Sequence, residues 1–272
     1  MAYSKTNKDK IKFYKNNPKV VYEEYIVKGK TIGQLSVEWD LPKSTVYNIV
    51  KSVDLVGIKQ ADKITSCNEK LFNVQNPVFC YLAGLISADG YIDEKNHRVV
   101  IRMSVDAKDI LEKIKQYFDV SNDVAEYSGV GGYTIEHTMY NLTISSEILL
   151  DQLRKLNVYG RKKDLLTRFP DMNLLTDECQ EMYIRGLWDG DGTIRNTGVT
   201  SIFEESEKMV VAITTFLQNK LSMECTVKPR IRDNRLIGYD MYSTNITGRI
   251  FYKWLYRHNL DIKIDKKYKR QF

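Results

Sequence analysis

The sequence predicts an α+β protein: a small all-α domain followed by two pseudo-symmetric αββαββα repeats with antiparallel strands. Three observations predict it. Apolar residues after Thr31 are spaced as in two short crossing helices, one segment recurs 102 residues downstream, and helical and strand periodicities alternate between those anchors. The chain's 272 residues leave room for such a division, and 43 % apolar with 28 % charged residues is the mixture of a packed soluble protein. Intrinsic disorder and fibrous repeats are thereby excluded.

The first element, TIGQLSVEWDLPKSTVYNIVKSV from Thr31, places Ile32, Leu35, Leu41, Val46, Ile49 and Val50 where two helices bury a shared seam. Thr31 suits a helix cap and Pro42 the first turn of the second helix. Lys43, Ser44, Thr45, Tyr47, Asn48 and Lys51 then project outward, groups able to contact phosphates and base edges. The segment resembles the helix-turn-helix family, with small Ser36 at the helix contact and Asp40 at the turn position usually held by Gly. Val20, Val21, Tyr25 and Ile26 supply a third helix for its core. The boundaries are 1–60 for this domain and 61–76 for a linker, since residues from 57 to Pro77 show no sustained period.

The repeats follow as 77–170 and 171–272. FCYLAGLISADGYI at 79–92 falls over QEMYIRGLWDGDGTI at 180–194, aligning Tyr81 with Tyr183, Gly84 with Gly186, Asp89 with Asp191 and Gly90 with Gly192. The same shift lays MYNLTISSEILLDQL from Met139 over MYSTNITGRIFYKWL from Met241, matching Ile144 with Ile246, Ile148 with Ile250 and Leu153 with Leu255. Between the anchors each half reads helix, two strands, helix, two strands, helix. RVVIRMSV at 98–105 alternates, Ile110, Leu111, Ile114 and Phe118 follow a helical period, and Gly129, Gly131 and Gly132 mark a turn.

The repeated helix carries a small-xxx-small stripe, Gly84 and Ala88 in one copy and Gly186 and Gly190 in the other, which lets two helix backbones approach closely. Each helix ends by delivering an aspartate. If the stripes meet, Asp89 and Asp191 converge, and two crowded carboxylates call for a divalent cation, with hard oxygen ligands selecting Mg²⁺ or a similar ion such as Mn²⁺. A metal so held suits phosphodiester hydrolysis.

These residues resemble the LAGLIDADG homing endonuclease family in its single-chain, two-repeat form. Leu82 to Gly90 matches the name-giving motif except at Ser87, where the motif has its first Asp; the second copy, Ile184 to Gly192, keeps both acids and departs at Ile184, Arg185, Trp188 and Gly190. The resemblance implies paired motif helices, with Asp89 and Asp191 as catalytic metal ligands and Gly90 and Gly192 beside them. It also implies a basic residue after the last helix of each repeat, Lys162 or Lys163 in one and Lys266 or Lys267 in the other, polarising water or offsetting charge. The strands of both repeats should form an antiparallel saddle on double-stranded DNA. Arg98, Arg102 and Ser104 share one strand face, as do Lys228, Arg230 and Arg232 near Arg235 across the turn, with Asn141 and Ser243 as neutral contacts.

The reading is a metal-dependent site-specific nuclease, acting as a monomer and making double-strand breaks with no cofactor beyond the metal. A scaffold kept for binding alone, a transcriptional regulator or RNA-splicing maturase, is the alternative. The net charge of +6 fits a polyanion partner by its placement: residues 1–64 hold 12 basic against 7 acidic side chains, and residues 257–272 hold 6 against 2. No membrane span or secretion signal is legible, so a cytoplasmic location is expected. Cys67, Cys80, Cys179 and Cys225 lack the paired spacing of a zinc site and read as reduced fillers.

Overall fold

The computed structural model describes residues 5–28, 30–52, 67–130, 136–160, 168–258 and 261–263. The chain divides into two compact units, within residues 1–64 and 65–272.

The first unit is helical: α1 (Lys5–Asn16), α2 (Pro18–Tyr22), α3 (Ile32–Glu38) and α4 (Lys43–Ser52). Thr31 caps α3 reciprocally, accepting from the Gln34 amide at 3.2 Å while Gln34 Oε1 accepts from the Thr31 amide at 2.8 Å. Asp40 turns the chain into α4 with φ +50°, the left-handed conformation that Asp tolerates better than most residues, and Ser36 Oγ donates to the Leu41 carbonyl at 2.7 Å. Val21, Leu35, Trp39, Leu41, Val46 and Ile49 form the core, with Tyr14 of α1 stacked on Trp39 at 3.8 Å. Val20 is exposed, unlike the expectation for it, and the side chain of Ile26 lies outside the described residues.

On α4, Lys43, Ser44, Tyr47, Asn48 and Lys51 are exposed as the spacing predicts. Thr45 is a correction: it is 6 % exposed, because one residue per 100° of helix puts positions 45, 46 and 49 together on the core face. Gly33 in α3 has room for a methyl group, the nearest atoms to an added Cβ lying at 3.7 Å. Gly33→Ala is therefore expected to stabilise this unit by about 0.5–1 kcal/mol, read as a raised midpoint of its unfolding transition.

The second unit runs α5 (Pro77–Asp89), β1 (Gly90–Asp93), β2 (Arg98–Ser104), α6 (Lys108–Tyr117), β3 (Ala125–Val130), β4 (Glu136–Ser145) and α7 (Glu147–Lys155). It then repeats the order as α8 (Asp177–Asp191), β5 (Gly192–Ile194), β6 (Thr200–Glu204), α9 (Glu207–Leu221), β7 (Cys225–Arg232), β8 (Arg235–Ser243) and α10 (Asn245–Leu255). Each half forms an antiparallel four-stranded sheet, in the orders β1-β2-β4-β3 and β5-β6-β8-β7. Val99, Ile101 and Met103 face inward from β2 while Arg98, Arg102 and Ser104 face out, so one face of the sheet is left uncovered. One continuous core spans both halves.

Three expectations change. Residues 67–76 belong to this unit rather than to a linker: Phe72 is buried against Phe118, ring centroids 5.0 Å apart, and the Asn76 side chain caps α5 by accepting from the Val78 amide. Gly129 lies inside β3, whereas Gly131 and Gly132 lie outside the described residues. The 102-residue offset holds for the motif helices alone. Gly90 pairs with Ile101 and Gly192 with Ile202; Ile101 pairs with Leu142 and Ile202 with Met241, so the last strands correspond at an offset of 99. Ile246 accordingly sits on the first turn of α10, 74 % exposed, and does not match buried Ile144.

The small-residue stripes do meet. A Cβ built on Gly84 would fall on the Tyr183 carbonyl oxygen and lie 2.8 Å from the Leu187 amide nitrogen, and one on Gly186 would fall on the Tyr81 carbonyl and lie 2.8 Å from the Leu85 amide. The reciprocity marks a two-fold-like crossing of α5 and α8 at backbone contact.

Candidate active site and nucleic-acid face

The crossing sets where the two acids stand. Asp89 ends α5 and Asp191 ends α8, and the following Gly90 and Gly192 leave each helix in matching extended conformations, φ −82° and −81°, to begin β1 and β5. Both aspartates are half-buried. Asp89 Oδ2 lies 3.1 Å from the position of a Cβ on Gly190, one residue before Asp191, so the two helix ends lie against each other. A carboxylate thus stands at each of two adjoining helix ends, where the negative end of the helix dipole favours a cation. Gly90 and Gly192 are buried, and a side chain there would strike Ile86 or the Trp188 ring, so neither position has room for a larger residue.

Polar groups inside the helix pair were not anticipated from sequence. Tyr81 Oη donates to Asp189 Oδ2 at 2.8 Å, and Tyr256 Oη to Asp189 Oδ1 at 3.3 Å. In the other copy, Ser87 Oγ and Tyr183 Oη are 2.9 Å apart. Burial first, then the neighbouring Asp189 carboxyl, holds the Tyr81 phenol well above its ordinary range, so it remains a donor. Ser87 thus occupies a position where its counterpart Asp189 is a packed, hydrogen-bonded interior group with 2 % exposure.

Near Asp89 the uncovered sheet face opens a recess of about 630 Å³ lined by Asp89, Gly90, Tyr91, Val100, Arg102 and Met139. Arg102 stands opposite Asn141 in the β2–β4 register and lies over the Tyr127 ring at 4.0 Å, while Arg98 pairs with Asp93 at 2.9 Å. Arg98, Arg102, Ser104 and Asn141 therefore share the outer face, together with exposed Tyr91 and Tyr127.

On the second sheet Lys228, Arg230 and Arg232 alternate along β7. Arg232 pairs with Arg235 across a turn in which Asp233 and Asn234 have φ +50° and +59°. Arg230 is held by Asp240, with Nε donating to Oδ2 at 2.7 Å, and its guanidinium lies 4.2 Å from the Phe203 ring centroid. Ser243 is a correction: it is 8 % exposed and faces the core, where Oγ accepts from the Thr200 amide at 2.9 Å and donates to the Thr244 carbonyl. Lys162, Lys163, Lys266 and Lys267 lie outside the described residues.

Two fused αββαββα copies joined by motif helices at backbone contact define a LAGLIDADG fold. The model of a family described as a LAGLIDADG-like domain matches residues 76–156. The first repeat thus matches a LAGLIDADG-like domain directly, and the second repeats its element order and sheet topology. Among solved structures it is similar to the homing endonuclease I-WcaI bound to its DNA recognition sequence, at TM-score 0.56 and 15 % identity, covering 80 % of this chain and 98 % of that one. Mesophilic variants of the homing endonuclease I-DmoI overlap at TM-score 0.46 and 16 % identity, covering 68 % and 98 % of the two chains. The N-terminal LAGLIDADG domain of DUF199/WhiA does so at 0.44 and 16 %, covering 73 % and 91 %. A search of curated proteins finds no match. No helix among the described residues is long and apolar enough to cross a membrane.

Proposed function

We propose that this protein is a divalent-metal-dependent DNA endonuclease that cuts both strands of a specific site. The observation that supports the reading is the pair of motif helices, whose C-terminal ends, carrying Asp89 and Asp191, lie against each other, with Asp89 at the edge of a sheet face bearing Arg102. Among the described residues no cluster of three or more His, Cys, Asp and Glu side chains forms. Two carboxylates with the backbone carbonyls of Gly90 and Gly192 fit Mg²⁺ or Mn²⁺, ions that take hard oxygen ligands and, for Mg²⁺, retain several waters. When bound, such an ion supplies charge stabilisation at the scissile phosphate and a more acidic water.

The chain's own residues hold the substrate. Arg98, Arg102, Lys228, Arg230, Arg232 and Arg235 contribute positive charge along the outer faces, and Ser104, Asn141, Tyr91 and Tyr127 offer base-edge and stacking contacts. One lysine of each pair, Lys162 or Lys163 and Lys266 or Lys267, supplies the basic group that the family resemblance implies for each repeat. The N-terminal unit serves as a helix-turn-helix in which Lys43, Ser44, Tyr47, Asn48 and Lys51 of α4 extend the contact. Retention of both acids favours cutting over binding alone, because binding does not require two crowded carboxylates.

Incubating the full chain with a randomised duplex library and Mg²⁺, then sequencing the new ends, is expected to yield one recurrent double-strand cut that EDTA abolishes. Tight binding without nicking in Mg²⁺ or Mn²⁺ overturns this in favour of a binding-only regulator or maturase. On the selected site, Lys43→Ala with Lys51→Ala is expected to weaken binding and to flatten the slope of log K against log salt by about 2, roughly one for each ammonium group that no longer meets a phosphate. An unchanged slope removes α4 from the interface.

A further inference from the structure

One arginine on the second sheet is held in place by its neighbours while 45 % of its side chain stays exposed. Arg230 of β7 stands opposite Gly238 of β8, where φ is +153° and a Cβ would meet the Glu204 carbonyl oxygen at 2.5 Å and the Phe203 ring at 2.7 Å. With no side chain opposite it, Arg230 lies across the sheet, its guanidinium 4.2 Å from the Phe203 ring centroid. Asp240, two residues further along β8 and itself paired with Phe203 in the register, clamps the guanidinium: Nε donates to Oδ2 at 2.7 Å and Nη2 to Oδ1. The Tyr242 hydroxyl is the next polar group beside it.

The other arginines of the outer faces have only part of this arrangement. Arg98 has an acid: its Nε donates to Asp93 Oδ2 at 2.9 Å, but that carboxylate also holds the Asn96 amide and side chain. Arg102 has a ring, Tyr127, and no acid partner among the described residues. Arg232 is 68 % exposed in its side chain and lies 3.9 Å from Asp233. For a surface that only grips phosphates, a carboxylate at Asp240 is a poor choice, because it offsets the arginine's charge and repels the backbone. What the carboxylate adds is direction. It fills the Nε–Nη2 edge of the guanidinium and leaves the Nη1–Nη2 edge to meet a ligand. That edge carries donors alone. In the major groove guanine shows two acceptors side by side, O6 and N7, whereas adenine sets a donor beside its N7 and cytosine offers a donor. An arginine already fixed between a ring and an acid also gives up little rotamer freedom on binding.

We propose that Arg230 reads a guanine in the recognition site and that Asp240 is its positioning residue, with Phe203 as the platform. The assignment rests on the DNA-binding part of the proposed function. It divides the cations of this sheet into one that selects a base and others, such as Arg232, that hold phosphates without regard to sequence.

The test selects tight binders from a randomised duplex library with the full chain in EDTA, where binding is read without cutting. The parent is expected to select guanine at one position where Arg230→Ala lowers the preference at least about tenfold, the discrimination that a bidentate pair supplies, while preferences elsewhere stay within about twofold. Arg230→Lys keeps the charge at an exposed position but loses the fork, and is expected to lose the same preference with overall affinity within about threefold. Asp240→Asn keeps the shape and removes the charge. It is expected to lower the guanine preference several-fold and to raise affinity for unrelated duplexes, opposite changes that a merely structural role would not produce. Phe203→Leu is expected to lower the same preference several-fold even if Asp240→Asn folds poorly. Arg230 variants that weaken all sequences alike, with every base preference intact, would make the contact a phosphate contact and overturn the assignment while leaving DNA binding and cleavage standing. A guanine preference undiminished in Asp240→Asn removes Asp240 as the positioning residue. A parent chain that selects no sequence overturns both the assignment and the site-specific nuclease.

Discussion

Asp89→Asn is expected to reduce double-strand cleavage at least about 10³-fold, and Asp191→Asn to do the same, with DNA affinity changed only a few-fold. The substitution is isosteric and removes one charge. Losing a charged group aimed at the reacting phosphate commonly costs about 10²–10³ in rate, and weaker cation binding adds to it. Folding is expected to move in the opposite direction. Each carboxylate ends a helix, where the dipole is negative, so a neutral amide at that position relieves an unfavourable term in the metal-free protein. The melting temperature of each variant in EDTA should therefore equal or exceed that of the parent. Adding Mg²⁺ should raise the melting temperature of the parent and leave the Asp89→Asn, Asp191→Asn double variant unmoved. Variants that cut at parental rates would falsify the role of these acids, and a lowered melting temperature in EDTA would mean that their contribution is structural.

The motif helices are legible in the sequence because every constraint on them is local. A backbone contact needs glycine, a helix-to-strand exit needs glycine, and both recur at one offset in Gly84, Gly90, Gly186 and Gly192. Beyond the helices the same offset misleads for a physical reason. The N-caps of the last helices, Ser146 and Thr244, lie 98 residues apart, four fewer than the motifs, and a slip of four residues returns a helix to nearly the same face. Leu153 and Leu255 are therefore both buried, and the slip leaves no trace there. In the strands the discrepancy is three residues, and an odd slip exchanges the two faces. Asn141 corresponds to Asp240, and Ser243 to the core residue Ile144, which is why a serine that reads as an outward contact is an interior hydrogen-bonding group.

Polarity misleads where position decides. Thr45 reads as outward because it is polar, although its helical position aligns with Val46 and Ile49. Glu181, Arg185 and Asp189 of α8, all buried, have a signal in the sequence, opposite charges every four residues, but that spacing normally marks a solvated face. Only the arrival of α10 against α8 turns them inward, and that is tertiary information. The Tyr14–Trp39 stack is hidden likewise, since Tyr14 lies on a helix whose lysine-rich sequence obscures its two core-facing positions.

Gly84→Val is expected to abolish folding of the second unit, and Gly84→Ala to destabilise it by about 3 kcal/mol or more. Added methylenes in a well-packed core typically cost about 1–3 kcal/mol, because side chains shift rotamer to make room. Here no rotamer is available to shift: the atoms that a Cβ meets are the Tyr183 carbonyl and the Leu187 amide, both backbone and both inside α8. Relief requires the helices to separate, and their interface lies inside the single core shared by both sheets, so the cost spreads to residues on either side. Gly186→Ala meets Tyr81 and Leu85 in the same way and should cost as much. The two substitutions act at one reciprocal contact, so together they should cost less than their sum. Urea unfolding followed through Trp188, which is buried on α8, gives the comparison directly. If Gly84→Ala costs under about 1 kcal/mol, the size of an ordinary helix-propensity change, α5 and α8 do not cross at backbone contact. Asp89 and Asp191 would then lose the geometry that the proposed cleavage requires of them.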